Sequence, residues 1–181
     1  SIRMSSPRRI GATMYVLASI LVLALFTMLF SDAMEQQRNP NSSPESVATG
    51  DGETSITLRR NHAGHYVLTG QLNGQSTEFL VDTGATAVSV SNAIARRAGL
   101  QRGHSIRALT ANGMTLAYMT TIDRLVIGGI EERNVAASIV PNFPGEQVLL
   151  GMSFLKRLDF AQRGDTLILT QRSTSTAVKK R

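Results

Sequence analysis

Phe79-Leu80-Val81-Asp82-Thr83-Gly84-Ala85-Thr86 places an ionisable carboxylate directly after three apolar residues. An apolar run of this kind predicts a buried strand, with Asp82 standing at its end. Gly84 lets the backbone turn and brings amides close to the carboxylate. Thr83 supplies a hydroxyl that can bond across to another backbone. A carboxylate held this way is oriented and partly desolvated, as general acid–base chemistry requires. Asp-Thr-Gly alone is also ordinary turn chemistry, so the surroundings carry the weight. A second apolar strand follows (Ala87, Val88, Val90), then a helix that Ser91 or Asn92 can cap, with Ile94 and Ala98 on one face and Gly99 to stop it. Far downstream, Val148-Leu149-Leu150-Gly151 is another apolar strand ending in glycine, and it enters the helix-like Met152-Ser153-Phe154-Leu155.

The flanking sequence is mostly β in pattern. Ile56 and Leu58 alternate with polar residues, as do Tyr66, Leu68, Gly70 and Leu72. Asn73-Gly74 is a strong hairpin signal, because both central turn positions want positive φ. Further strands are expected at 75–81, 105–110, 114–121, 124–127, 135–140 and 166–170. Asn112-Gly113 is expected to form a second hairpin, Gly128-Gly129 a turn, and Arg163-Gly164-Asp165 the turn into the last strand. Residues 151–158 are expected to hold a short helix. Many short strands with one or two helices predict a small, mainly β domain, closed or sandwiched, over residues 54–172.

Residues 10–30 carry no charged side chain and are long enough to cross a bilayer as a helix. Arg3, Arg8 and Arg9 precede them, within a basic end at 1–9, while Asp32 and Glu35 follow. The positive-inside rule then puts the N-terminus in the cytoplasm and the remainder outside. A cleaved signal peptide is the rival, with Ser31-Asp32-Ala33 as a weak small-x-small site, but its apolar region is normally shorter. Either reading exports the rest of the chain. Residues 31–53, rich in Asn, Gln, Ser and Pro, offer little to bury and are expected to be a flexible linker.

The 181 residues carry a net charge of +6, yet much of it sits at the two ends, the second being a basic tail at 173–181 with Lys179, Lys180 and Arg181. Between residues 50 and 172, twelve basic residues face ten acidic ones. Tryptophan is absent and aromatics are 5% of the chain, so base-stacking platforms are poorly supplied and no nucleic-acid partner is expected. The absence of cysteine excludes disulfide scaffolds, thiol nucleophiles and thiolate metal sites. His62, His65 and His104 lack the spacing of a metalloprotease helix, and no metal or cofactor is expected. A nucleophile elbow and a phosphate loop are also missing.

These residues resemble the retropepsin-like aspartic proteases, which have one lobe per chain, and most closely their bacterial membrane-anchored members. The resemblance covers residues 54–170. Phe79–Thr86 is similar to the family's active-site loop, with Thr83, Gly84, Ala85 and Thr86 supporting Asp82. Leu149-Leu150-Gly151 is similar to the segment packed beneath that loop, and Thr110-Ala111-Asn112-Gly113 falls where the family has its flap, over a polypeptide substrate. The resemblance implies a closed β-barrel with Asp82 as the catalytic residue of a peptide hydrolase. Two neighbouring carboxyls cannot both ionise easily, so one keeps its proton and polarises the scissile carbonyl while the other activates water. One Asp-Thr-Gly occurs here, and neither Asp159 nor Asp165 has the same context. The second carboxylate is therefore expected from Asp82 of another chain across a two-fold axis. The implied protein is a homodimeric, single-pass inner-membrane endopeptidase facing the periplasm. Alternatives are a non-catalytic dimerisation or peptide-binding module on the same fold, and an enzyme that cleaves its own linker.

Overall fold

Helix α1 (Pro7–Arg38) runs eight residues past Phe30, the last residue of the expected span. In the computed structural model the described residues are 7–48, 52–110, 113–143 and 145–172. The chain divides into two units, Ser1–Gln37 and Arg38–Arg181. In the first, the large apolar side chains from Met14 to Met34 are all exposed, so the helix has no buried face over those residues. The segment Met14–Arg38 is long and apolar enough to cross a membrane. Its few hydroxyls turn back on the helix: Thr27 Oγ1 donates to the Leu23 carbonyl at 2.7 Å and Ser31 Oγ to the Thr27 carbonyl at 2.8 Å. Such internal pairing is what a hydrocarbon environment demands of polar groups.

The second unit is mainly β. Its strands are β1 (Ser46–Ala48), β2 (Thr54–Arg59), β3 (Val67–Leu72), β4 (Gln75–Val81), β5 (Val88–Ser91), β6 (Ser105–Thr110), β7 (Gly113–Ile127), β8 (Ile130–Val140), β9 (Val148–Leu150), β10 (Asp159–Arg163) and β11 (Thr166–Gln171). Two short helices, α2 (Asn92–Arg97) and α3 (Met152–Leu155), interrupt them. A seven-stranded sheet has the order β3-β4-β9-β5-β8-β7-β6, with β3 also pairing to β7 at Gln71–Val126 and Leu72–Leu125. A four-stranded sheet has the order β1-β2-β11-β10. The core between them is built from the alternate apolar residues of the strands: Ile56, Leu58, Leu68, Phe79, Ile122, Ile139 and Leu169 are all buried, with Phe154 of α3.

Local signals act where they are placed. Asn73 and Gly74 both take positive φ, 49° and 82°, and Leu72 pairs with Gln75 across the turn. Ser91 caps α2 by accepting from the Ile94 amide, and Gly99 with φ 69° ends it. The strands expected at 114–121 and 124–127 are instead one strand, β7, of 15 residues. No breaker separates them, and the ladder to β8 continues on both sides of Asp123 and Asn134, where Asn134 takes φ 51°. Strand β10 is absent from the sequence reading, because all five of its residues are exposed and it shows no apolar alternation.

The expected flexible linker at 31–53 needs correction. Its first part, through Arg38, continues α1. Its next part docks on the β unit: Asn39 and Asn41 are 2% and 6% exposed. Asn41 Nδ2 donates to the carbonyls of Arg59 at 2.9 Å and Val67 at 2.7 Å, while its Oδ1 accepts from the Arg59 amide at 2.7 Å. Asn39 Nδ2 donates to Thr69 Oγ1 at 2.9 Å. Strand β1 then pairs along β2. Polarity misled the sequence reading, since these amides are buried to satisfy backbone groups rather than to add apolar area. Residues 49–51 and the basic tail at 173–181 lie outside the described residues.

Candidate active site

The loop after β4 is fixed from three directions. Strand β4 runs parallel to β9, with Leu80 opposite Leu149 and Val81 opposite Leu150. The Val81 amide donates to the Tyr66 carbonyl at 3.0 Å and the Asp82 amide to the Leu150 carbonyl at 3.2 Å. The Ala85 amide then closes a turn onto the Asp82 carbonyl at 3.2 Å. Within that turn, the Gly84 amide donates to Asp82 Oδ1 at 2.9 Å. A Cβ at Gly84 would stand 3.2 Å from the same oxygen, so a larger residue here would crowd the carboxylate. Asp82 is half-buried, while Thr83, Gly84 and Thr86 are exposed. The result is an oriented acid, open to solvent on one side, on rigid support.

The support beneath is Leu149-Leu150-Gly151, brought to the loop by β9. A Cβ at Gly151 would come within 2.4 Å of the Ala87 carbonyl and 2.7 Å of the Ala85 carbonyl. Glycine is required there by close backbone approach. Helix α3 follows at once, and its first amides bind the loop: Met152 to the Ala85 carbonyl at 2.8 Å and Ser153 to the Thr86 carbonyl at 3.0 Å. The buried Ser153 hydroxyl accepts from the Val88 amide at 2.9 Å and donates to the Ala136 carbonyl at 2.7 Å. Ser153 thereby ties the loop to β8. Sequence reasoning passed over it; the available signal was a lone hydroxyl within the apolar Met152–Leu155 turn.

The expected flap is the β6–β7 hairpin. Thr110 pairs with Gly113, whose φ is 100°, and Thr110 Oγ1 donates to the Gly113 carbonyl at 2.9 Å. Ala111 and Asn112 lie outside the described residues. Leu109, Met114 and Leu116 of this hairpin are exposed apolar side chains. A groove of about 230 Å³ lies beside the loop, between Val81, Thr83, Leu155 and the β10–β11 hairpin. A larger depression of about 400 Å³, lined by charged residues including Glu132 and Lys156, does not include Asp82. Val81 and Thr83, which flank the half-buried Asp82, line the smaller groove.

Residues 68–157 match the family described as "gag-polyprotein putative aspartyl protease". The structure is similar to the crystal structure of a retropepsin-like aspartic protease from Rickettsia conorii, with a TM-score of 0.56 and 29% identity, covering 71% of this chain and 96% of that one. The chain belongs to the retropepsin-like aspartic protease family. Two uncharacterized bacterial proteins are also similar to this retropepsin-like chain. One, from the cobV 5′ region of a Sinorhizobium species, is 32% identical over 127 residues, or 68% of this chain and 54% of that protein. The other, RP867 of Rickettsia prowazekii (strain Madrid E), is 31% identical over 119 residues, or 63% and 50%. The chain spans about half the length of the curated relatives it matches. The segment that matches the retropepsin-like family holds Asp82, its loop and Leu149-Leu150-Gly151 together.

Proposed function

We propose that the chain is an aspartic endopeptidase whose active site is completed by a second copy, each contributing Asp82. The observation that carries this reading is the Asp82 carboxylate accepting the Gly84 amide at the end of β4, half-buried and facing outward. Among the described residues of the β unit, the other aspartates have different surroundings: Asp159 is bound by Arg172, and Asp165 is paired with Arg60 at 3.5 Å. Asp123 lies within β7, in the ladder to β8.

With two Asp82 carboxyls together, one is protonated and one ionised. The ionised one takes a proton from a water molecule as that water's oxygen bonds to the scissile carbonyl carbon. The protonated one gives its proton to the carbonyl oxygen. Collapse of the tetrahedral intermediate breaks the C–N bond: the protonated carboxyl gives its proton to the leaving nitrogen, and one hydroxyl of the intermediate returns a proton to the other carboxylate as the product acid forms, so the pair again holds one proton. The backbone amides at Gly84 and the ties from α3 keep both acids oriented throughout. The exposed Leu109, Met114 and Leu116 suit a hairpin that covers an extended polypeptide.

The same proposal makes α1 a single-pass anchor of the inner membrane, with the basic end in the cytoplasm and the β unit in the periplasm. Anchoring two copies in one bilayer raises their effective concentration. The folded part begins near Arg38, ahead of the expected boundary at 54, because Asn39 and Asn41 are built into it.

Asp82→Asn in the full chain, assayed on a mixed peptide library in detergent, tests the chemistry. Hydrolysis by the parent and none by a variant of unchanged β content is the expected result. Equal turnover by both would refute the aspartic mechanism. No hydrolysis by either would favour a binding module on the same fold.

A further inference from the structure

Arg38, where the β unit begins, stands eight residues after Phe30, the end of the uncharged stretch of α1. Those residues are helical and rise about 12 Å. From Arg38 the chain is fastened at once. Arg38 Nη2 reaches Glu78 Oε2 of β4 at 3.1 Å, and the Arg38 carbonyl accepts from Asn61 Nδ2 at 2.9 Å. The Asn41 carbonyl accepts from the Thr69 amide at 3.1 Å, and Asn41 bridges to Leu68 of β3. With Asn39 and Asn41 both buried, no slack is left between the helix and the folded unit.

The strand that receives Arg38 is also the strand that delivers the acid. Leu68 pairs with Phe79 of β4, and Asp82 follows Phe79 by three residues. Two strand spacings are about 10 Å, and three residues of strand are about 10 Å more. Asp82 is therefore held within roughly 40 Å of Phe30, whatever the angle between helix and sheet. A free chain over residues 31–53 would reach about 80 Å before entering β2. The buried asparagines remove that freedom.

We infer that the preferred substrates are polypeptides held in the same bilayer and cut close to it, in the extramembrane segment that flanks their own anchor. This rests on the anchored protease proposed above, and it names the class of peptide bond that the tether lets it reach. Substrate and enzyme confined to one membrane meet at a high effective concentration when their heights match. A membrane-held site standing well beyond roughly 40 Å gains nothing, because a tether that cannot span the gap gives an effective concentration near zero. Soluble polypeptides reach the same acid without this gain. The tether thus selects by height above the membrane, in addition to whatever the groove at Val81, Thr83 and Leu155 selects by shape.

The chain contains no cysteine, so a thiol introduced at the exposed Thr86 reports the height of the loop. Full-length Thr86→Cys, carrying a donor fluorophore in phosphatidylcholine vesicles with acceptor lipids at the surface, should show strong energy transfer. Insertion of about forty Gly and Ser residues between Asp32 and Ala33 adds about 35 Å of root-mean-square reach and should lower that transfer about twofold. For cleavage, a library peptide that the parent hydrolyses in detergent is carried on a helix continuous with a membrane span. Placed about 15 or about 55 helical residues out, it stands about 22 or about 80 Å from the bilayer. The parent should cut the near site about tenfold faster than the far one, and the insertion should reduce that preference to about threefold or less. Both chains should hydrolyse the free peptide in detergent at the same rate. Equal cutting of near and far sites by the parent, or weak energy transfer from its loop, would overturn the selection by height and leave the protease standing. No hydrolysis of any library peptide by the parent would overturn the protease and this inference with it.

Discussion

The Gly84 amide donates to Asp82 Oδ1 at 2.9 Å, and this bond sets the direction of the one acid in the loop. Everything around it serves that bond. Strand β4 delivers Asp82, β9 lies parallel alongside, and α3 holds the outgoing chain through Met152 and Ser153.

Replacement of Gly151 by Ala is expected to damage both stability and activity. The added Cβ would lie 2.4 Å from the Ala87 carbonyl, a backbone atom that cannot move without the loop. Overpacking of this kind costs about 1–3 kcal/mol. Urea unfolding should show the loss, and peptide hydrolysis should fall with it. Gly84→Ala has a tight contact with Asp82 Oδ1 alone, so it should lower turnover with a smaller change in unfolding midpoint.

Truncation distinguishes the docked segment from a tether. A chain starting at residue 38 retains Asn39 and Asn41, whereas one starting at 51 loses both. The shorter chain leaves the Val67 carbonyl and the Arg59 amide without the Asn41 side chain that pairs with them. Each such unpaired group costs about 1–3 kcal/mol where water cannot reach it. Asn41→Ala should reproduce most of that loss in urea titrations. Equal stability of the two truncations would show that the segment contributes nothing.

These residues show what the sequence could and could not disclose. The apolar strand before Asp82, the Asn73-Gly74 turn and the Ser91 cap were legible, because each depends on neighbours within a few positions; that Leu149-Leu150-Gly151 lies against the Asp82 loop came from the family resemblance, since its partners are far away in the chain. The long apolar helix was legible from composition. Asn41 was not: its partners are Arg59 and Val67, and nothing in the polar run 39–46 specifies them. Strand β10 was not either, since a strand exposed on both faces has no alternation to detect. Asp123, mid-strand between Ile122 and Arg124, gave no sign that two expected strands were one, because that continuity comes from pairing along β8.

Acid should weaken the β7–β8 hairpin through Glu131. Arg124 Nε and Nη2 reach Glu131 Oε2 at 2.9 and 2.8 Å, and Arg133 Nη2 reaches Oε1 at 2.7 Å. The hydrogen bond from Arg124 holds the Glu131 carboxyl below its ordinary value; partial burial opposes this, and the charges of Arg124 and Arg133 add to it. A depressed folded-state value means that stability is present above the ordinary carboxylate range and is lost as pH falls through the folded value. Glu131→Gln should therefore be less stable than the parent near about pH 7, with the gap closing near about pH 3. A gap of constant size across that range would contradict the ion-pair account.

The central claim is that one chain holds half a site. Hydrolysis per chain, measured for the full-length protein in detergent while it is diluted and while Asp82→Asn chains are mixed in, tests it most directly. The account predicts that the specific rate climbs with protein concentration and then levels off, and that excess Asp82→Asn chains suppress it beyond simple dilution, because mixed dimers carry one ionisable Asp82. A rate per chain that stays constant across the dilution series, and that Asp82→Asn chains leave untouched, would contradict it.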